Sequence, residues 1–293
     1  MREPTPDSGV FEEHRSLLFS IAYRMLGTVM DAQDLVQDTF LRWQRAPHDE
    51  IESPRAWLTT VLTRLCINHL KLARVQRETY FGEWLPEPLV EDVDHPVEDT
   101  PLADSLSLAF LVLLETLTPT ERAVFILREG LAYEFSEIAS IVNKEEANCR
   151  QILARARKHI EGRRPRFEAS SQDAEELMLE FVRMVRSGAV EELLDHLASD
   201  VLFLSDGGGK ARALPKAIHG ADPVARLLIG AAKKFGSPTE LTRPALVNGL
   251  PGLVTFDGSR ATRVMAFGFE DGRIRNVFVI TNPDKLRHLS DMS

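Results

Sequence analysis

Between Glu78 and Asp104 the chain carries nine acidic residues, no lysine or arginine, and prolines at 86, 88, 96 and 101. Such a run cannot make a helix or a central strand. Each proline removes a backbone donor, and the carboxylates repel one another. It reads as a linker, not a packed layer, and it divides the chain. The segments around it have the opposite sign. From Ser53 to Arg77 there is no acidic residue, but there are Arg55, Arg64, Lys71, Arg74 and Arg77. From Cys149 to Arg166 seven basic residues stand against Glu161 alone. The net charge of −9 taken alone argues against a nucleic-acid partner. Fields act over about a Debye length, however, so local charge decides binding more than the total does.

The 293 residues are enough for two domains of roughly 100–200 residues. The first residues contain no apolar leader core, and no run approaches the ~18 apolar residues of a membrane helix. A cytoplasmic chain with no membrane partner is expected. Cys66 and Cys149, far apart in helical patterns, are expected as reduced thiols.

Residues 10–46 have helical periodicity, with Phe11, Leu17, Leu18, Ile21 and Met25 on one apolar face and Leu35, Val36, Phe40, Leu41 and Trp43 on a second. After a loop at 46–53, Ser53-Pro54 supplies an N-cap and a proline at the first helical position. The helix to about Arg77 is expected to bury Trp57, Val61, Leu62, Leu65 and Leu70. Trp57 offers a stacking platform for a base, but its place on the apolar face favours core packing. Helices resume at 104–116. Thr118-Pro119 with Glu121 forms a capped start, and breaks near Gly130 and Asn143 leave two final helices joined as a helix-turn-helix.

After a second linker at 165–171, helices at 172–187 and 189–198 lead into strands at 201–205, 241–247, 252–256, 261–269 and 274–281. The turns "FDGS" and "EDGR" mark hairpins. This half is α+β with a curved antiparallel sheet. Within it, "SDGGGKA" (205–211) has the glycines and lysine of a phosphate loop, but Ala211 stands where that motif needs Ser or Thr to hold magnesium. It reads instead as a structured turn that allows close backbone approach, with Asp206 and Lys210 as a charge pair.

"DAQDLVQDTFLRWQRA" (31–46), "SPRAWLTTVLTRLCINHLKLAR" (53–74) and "LTPTERAVFILREGLAYEFSEIA…NCRQILARARKHI" resemble three successive parts of bacterial sigma factors: the polymerase-binding helix, the −10 helix and the −35-binding domain. The absence of the regions found in large housekeeping members points to the extracytoplasmic-function group. The second half is similar to the SnoaL-like branch of the nuclear-transport-factor-2-like fold. "WLPEPL" (84–89), "DGGGK" (206–210) and "NPDKL" (282–286) match the group of these sigma factors that carries such a fused domain.

The resemblance implies a multidomain fold. A helical sigma-2 domain (8–77) and an acidic linker (78–104) precede a helix-turn-helix sigma-4 domain (105–165), and an α+β cone (172–290) follows. It implies core RNA polymerase (clamp and flap) and promoter DNA as partners, no cofactor or metal, and no obligate separate anti-sigma factor. Asp31, Asp34, Leu35, Gln37, Asp38 and Leu41 would dock on polymerase, a solvated helix face being the ordinary alternative. Arg64, Asn68, Lys71 and Arg74 would capture the opened −10 strand, with the loop 47–52 holding a flipped base.

Arg150 and Gln151 would read −35 base edges, and Arg155, Arg157 and Lys158 would hold phosphates. Glu145 and Glu146 depart from this scheme, since carboxylates near DNA accept from cytosine but repel phosphate. Trp84, Leu85 and Pro86 form a stiff apolar segment that another domain could grip. Asp206, Gly207, Gly208, Gly209 and Lys210, together with Asn282, Pro283, Asp284 and Lys285, would form that docking surface. The linker could also act as a nucleic-acid mimic in the polymerase channels.

The rival reading is a helix-turn-helix regulator whose second half binds a small ligand or retains isomerase or cyclase chemistry. Asp200, Asp206, His196 and His219 are its candidate acid-base groups.

Overall fold

The computed structural model describes residues 6–77, 80–91, 107–160, 171–235 and 240–289. These divide into two compact units, the first built from residues 6–77 and 111–160, the second from 80–91, 107–110 and the described residues from 171 on. Parts of both linkers, 92–104 and 165–170, lie outside the described residues.

In the first unit, α1 (Pro6–Leu26), α2 (Val29–Trp43) and α3 (Pro54–Arg77) form one helical module. The two apolar faces read over 10–46 fall on two helices separated at Gly27, whose φ of +70° ends α1. The second module has α5 (Pro119–Phe125), a π-helical turn Ile126–Gly130, α6 (Phe135–Val142) and α7 (Glu146–Ile160). The short α4 (Leu108–Leu114) precedes them.

Thr118 and Glu121 close a reciprocal capping box at the start of α5, as their spacing predicts. Thr118→Ala is expected to cost about 1 kcal/mol, read as a lower unfolding midpoint. An unchanged midpoint would show that the cap is redundant.

The buried face of α3 is only partly the one expected, which holds for Leu62 and Leu70. Leu58, Leu62, Cys66 and Leu70 are buried at successive four-residue steps, and Thr59 and Thr63 are fully buried beside them. Trp57 and Val61 are only half-buried. The cause is a second layer. α3 packs on α1 and α2 with one side and on α5 and α6 with another, so its buried arc includes hydroxyl-bearing positions. Trp57 packs against Trp43 with ring centroids 5.5 Å apart. Both cysteines are free and buried, and burial pushes their thiols up.

The second unit sets α8 (Ser171–Ser187), α9 (Val190–His196) and α10 (Ala221–Phe235) against an open seven-stranded sheet. Its strands are β1 (Val90–Glu91), β2 (Leu197–Asp206), β3 (Ile218–His219), β4 (Leu241–Val247), β5 (Leu250–Asp257), β6 (Arg260–Glu270) and β7 (Arg273–Ile280). Their order is β1-β4-β5-β6-β7-β2-β3. Every pairing is antiparallel except β2 with β7, because the chain returns to β2 from the far end of a β4–β7 meander. This is the α+β arrangement the resemblance implied.

Strand alternation assigns the two faces. Val201, Phe203, Phe267, Phe269, Val277 and Val279 join Phe181, Leu193 and Leu228 of the helices in one core. The opposite face carries Leu204, Val254, Val264, Ala266, Phe278 and Ile280, also buried. The helix α10 is absent from the sequence reading although Val224, Ala225, Leu228 and Ile229 repeat at helical spacing. Its Asp222-Pro223 start hides the signal among turn residues.

Candidate linker clamp and nucleic-acid surfaces

Asp206 ends β2 on the same face as Leu204, with no exposed surface. An isolated carboxylate there would be very costly, so it must be paired and fully hydrogen-bonded. Its Oδ2 accepts from the Leu85 amide at 2.9 Å and from Lys285 Nζ at 2.7 Å. Its Oδ1 accepts from the Tyr80 hydroxyl at 2.6 Å and from the Gly208 amide at 2.9 Å.

Lys285 is itself 5% exposed. It also donates to the Leu85 carbonyl and lies 4.0 Å from the Trp84 ring centroid. Both polar groups of the Leu85 backbone are therefore bound by one buried ion pair. Burial first, then the bond to Asp206, hold the Tyr80 hydroxyl above the usual phenol range, so it stays a donor.

The expected pair of Asp206 with Lys210 is not formed. Asp206 pairs with Lys285, and Lys210 bonds Asp284 at the surface. The reason is burial: Asp206 faces inward from β2, whereas Lys210 leaves the turn towards solvent. The glycines fit the same picture. Gly208 has φ +58°, and a Cβ there would lie 2.3 Å from the Asn282 amide nitrogen. Asn282 Nδ2 donates to the Tyr80 hydroxyl at 2.9 Å, while its Oδ1 caps the turn Pro283–Lys285. Gly207 is equally closed, with the Ala211 carbonyl 2.3 Å from such a Cβ. Close approach at Gly207 and Gly208, and a φ of +68° at Gly209, account for "GGG" without a phosphate.

The linker continues the contact. Leu85, Pro86, Glu87 and Pro88 are buried, so this part of the tether is a packed layer, contrary to the reading from its composition. The Leu89 amide donates to Asn248 Oδ1 at 3.0 Å, the Asn248 amide donates back to the Leu89 carbonyl at 2.7 Å, and β1 then pairs with β4. His288 meets the Pro88 carbonyl at 2.8 Å. Tyr80, Asn248 and His288 were missed in the sequence. A lone tyrosine in an acidic run and an asparagine in a hairpin turn carry no local signal of partners more than a hundred residues away.

On α2, Asp34, Gln37, Asp38 and Leu41 are exposed at i, i+3, i+4 and i+7, one continuous face. Leu35 is half-buried. Asp31 accepts from Thr28 at 2.5 Å and lies 3.6 Å from His69 Nε2, so part of its charge is spent within the module.

On α3, Asn68 and Lys71 are exposed. Arg64 is committed elsewhere: its Nε donates to the Ile141 carbonyl at 2.9 Å and its Nη2 to the Ser140 carbonyl at 2.8 Å. The side chain of Arg74 lies outside the described residues. In the loop before α3, His48 stacks on Trp43 at 4.3 Å, and Asp49, Glu50 and Glu52 point to solvent.

Arg122 completes the first unit. Buried on α5, it donates to the Met25 carbonyl and to Glu115, each at 2.6 Å. Arg64 thus caps the C-terminal carbonyls of α6, and Arg122 caps those of α1. Each helical module supplies the cation for the other's helix end, where unsatisfied carbonyls and the helix dipole favour one. Thr59 and the Tyr133 hydroxyl, 3.1 Å apart, add a buried hydrogen bond between the modules.

On α7, Arg150, Gln151, Arg155, Arg157 and Lys158 are all exposed. Arg157 bonds Glu129 at 2.6 Å. Arg150 bonds Glu146 at 2.8 Å.

The candidate acid-base groups do not converge. Asp200 pairs with Arg275 at the surface, six residues and about 20 Å along β2 from Asp206. His196 turns to the Glu192 carbonyl, and His219 is exposed on β3. Among the described residues no cluster of His, Cys, Asp and Glu could hold a metal, and no helix is long and apolar enough to cross a membrane.

Comparison with known proteins agrees with this architecture. Residues 10–75 match the family model for Sigma-70 region 2, and residues 107–160 that for Sigma-70, region 4. The ECF RNA polymerase sigma factor SigJ of Mycobacterium tuberculosis is 37% identical over 286 residues, covering 94% of this chain and 91% of the relative. The probable ECF RNA polymerase sigma factor SigI of the same organism is 31% identical over 291 residues, 98% of this chain and 97% of its own. The crystal structure of SigJ superposes with a TM-score of 0.76 at 36% identity, covering 94% of this chain and 96% of that one.

Proposed function

The chain belongs to the extracytoplasmic-function sigma factors of RNA polymerase, and on that premise we propose that its fused α+β domain regulates initiation by holding the linker between the two promoter-binding modules. The domains are taken as 8–77, 105–165 and 172–290, joined by the acidic linker. The exposed face of α2, from Asp34 to Leu41, docks on the clamp of core polymerase. Asn68 and Lys71, with Arg64 once released, engage the −10 strand. α7 reads the −35 element, and the sigma-4 module meets the flap.

The observation that carries the regulatory reading is the buried Asp206–Lys285 pair on the Leu85 backbone. A linker held in this way is not free to enter the polymerase channels, so binding to polymerase and binding to the fused domain compete for one segment. Two sites competing for one segment are coupled, and no separate anti-sigma protein is required. Asp206, spent on the linker, is withdrawn from acid-base work, which favours regulation over catalysis. The chain then acts in the cytoplasm as a transcription factor.

The test is in vitro transcription with core polymerase and chains ending near residue 165, near 205 and after 281. All three lack Lys285, and the first two lack most of the sheet. Each is expected to change output by about fivefold or more, the ordinary size of a coupling free energy. If all three initiate like the full chain, the fused domain has no regulatory part.

A further inference from the structure

At the start of the helix-turn-helix, the Arg150 guanidinium carbon sits 4.8 Å from the centroid of the Phe135 ring. The guanidinium of Arg128 sits 4.9 Å from the same ring. Phe135 is the first residue of α6, and Arg150 lies in the second turn of α7, where such motifs meet base edges. Glu146, one turn earlier, takes Arg150 Nη2 at 2.8 Å. We propose that Phe135 and Glu146 are positioning residues that hold the Arg150 fork for a guanine in the −35 element. The inference rests on the sigma reading above and specifies how its −35 helix discriminates.

The chemistry is that of a planar cation held on two sides. A free arginine at a helix surface loses considerable rotamer freedom when it binds, and a side chain already held loses less. Ring contact fixes the guanidinium plane, and the carboxylate fixes its rotation. Glu146 occupies Nη2 through one proton. The Nη1 protons and the second Nη2 proton remain for guanine O6 and N7. The carboxylate that would repel a phosphate is thereby neutralised by the reading arginine. Arg128 is anchored separately, to the Tyr133 carbonyl at 2.7 Å and Glu134 at 3.1 Å, so the ring keeps one guanidinium as a fixed neighbour while presenting the other.

The experiment uses the full chain with core polymerase on a pool of promoters randomised through both elements, the transcripts being sequenced to score each base. The wild type should favour guanine at one −35 position. Arg150→Ala should flatten that preference roughly tenfold or more. Phe135→Leu should weaken it about two- to fivefold at the same position, the size of an exposed cation–ring contact. Phe135→Tyr, which keeps the ring, should preserve it. Glu146→Gln, a near-isosteric change at a partly exposed position, should shift the same base in the same direction.

A merely structural role for Phe135 would lower output evenly and leave the base profile unchanged, and that result overturns the proposal. So does an unaltered guanine preference in both Phe135→Leu and Glu146→Gln, or a wild type with no guanine preference at all. A wild-type holoenzyme that initiates nowhere in the pool overturns the sigma reading itself.

Discussion

Asp206→Ala is expected to detach the linker from the α+β domain, with the Leu85 amide exchanging with solvent more than a hundredfold faster than in the wild type. The substitution takes the carboxylate from the buried Lys285 ammonium, which keeps the Leu85 carbonyl as an acceptor, and it removes the acceptor of three other donors: the Tyr80 hydroxyl and the Leu85 and Gly208 amides. Breaking a buried pair from one side costs about 3–5 kcal/mol. Local opening by that amount gives the stated change in exchange. The double variant Asp206→Leu with Lys285→Met should recover part of the loss, since removing both charges leaves no uncompensated ion. Unchanged protection of Leu85 in Asp206→Ala would mean that the linker is held by apolar contact alone.

The second large effect is expected at Arg122. Its side chain is only 4% exposed and ties α5 to both Met25 and Glu115. Arg122→Ala removes a buried charged donor from a helix-end carbonyl and from a half-buried carboxylate, a loss of about 2–4 kcal/mol. The two helical modules should separate more readily, measured as an increased distance between spin labels on α2 and α7 of the free chain. Arg64→Ala should act in the same direction by freeing the α6 carbonyls. Distances that stay as in the wild type in both variants would show that reciprocal capping does not hold the modules together. Under the proposed −10 role, Arg64 must leave this cap to meet DNA, so promoter engagement and cap release are coupled.

Much of the architecture was legible because it depends on periodicity and punctuation. The capping box at Thr118, the glycine hairpins and the strands β4 to β7 follow from residues adjacent in the chain. Four features failed this test, each for a physical reason. α10 was hidden by the proline near its start. The buried arc of α3 was read only in part, at Leu62 and Leu70, because threonines look exposed until a second helical layer is known to cover them. The partner of Asp206 was assigned to the nearby Lys210, although the true partner is 79 residues away. And 84–88, although singled out as a segment another domain could grip, lie in a run read from its composition as a linker and not a packed layer, because acidity and proline describe what a segment cannot form by itself, not what can cover it.

The sequence by itself determined that two cationic helical modules and an α+β domain are joined by an acidic tether, because charge sign, helical period and proline placement are properties of neighbouring residues. Only the tertiary structure decided which of those charges are available. Arg64 and Arg122 each cap a helix end of the opposite module, Asp206 and Lys285 hold the linker backbone, and Arg150 is held against a ring and a carboxylate. A charge's availability depends on which donors and acceptors lose water beside it, and that is settled by folding rather than by order along the chain.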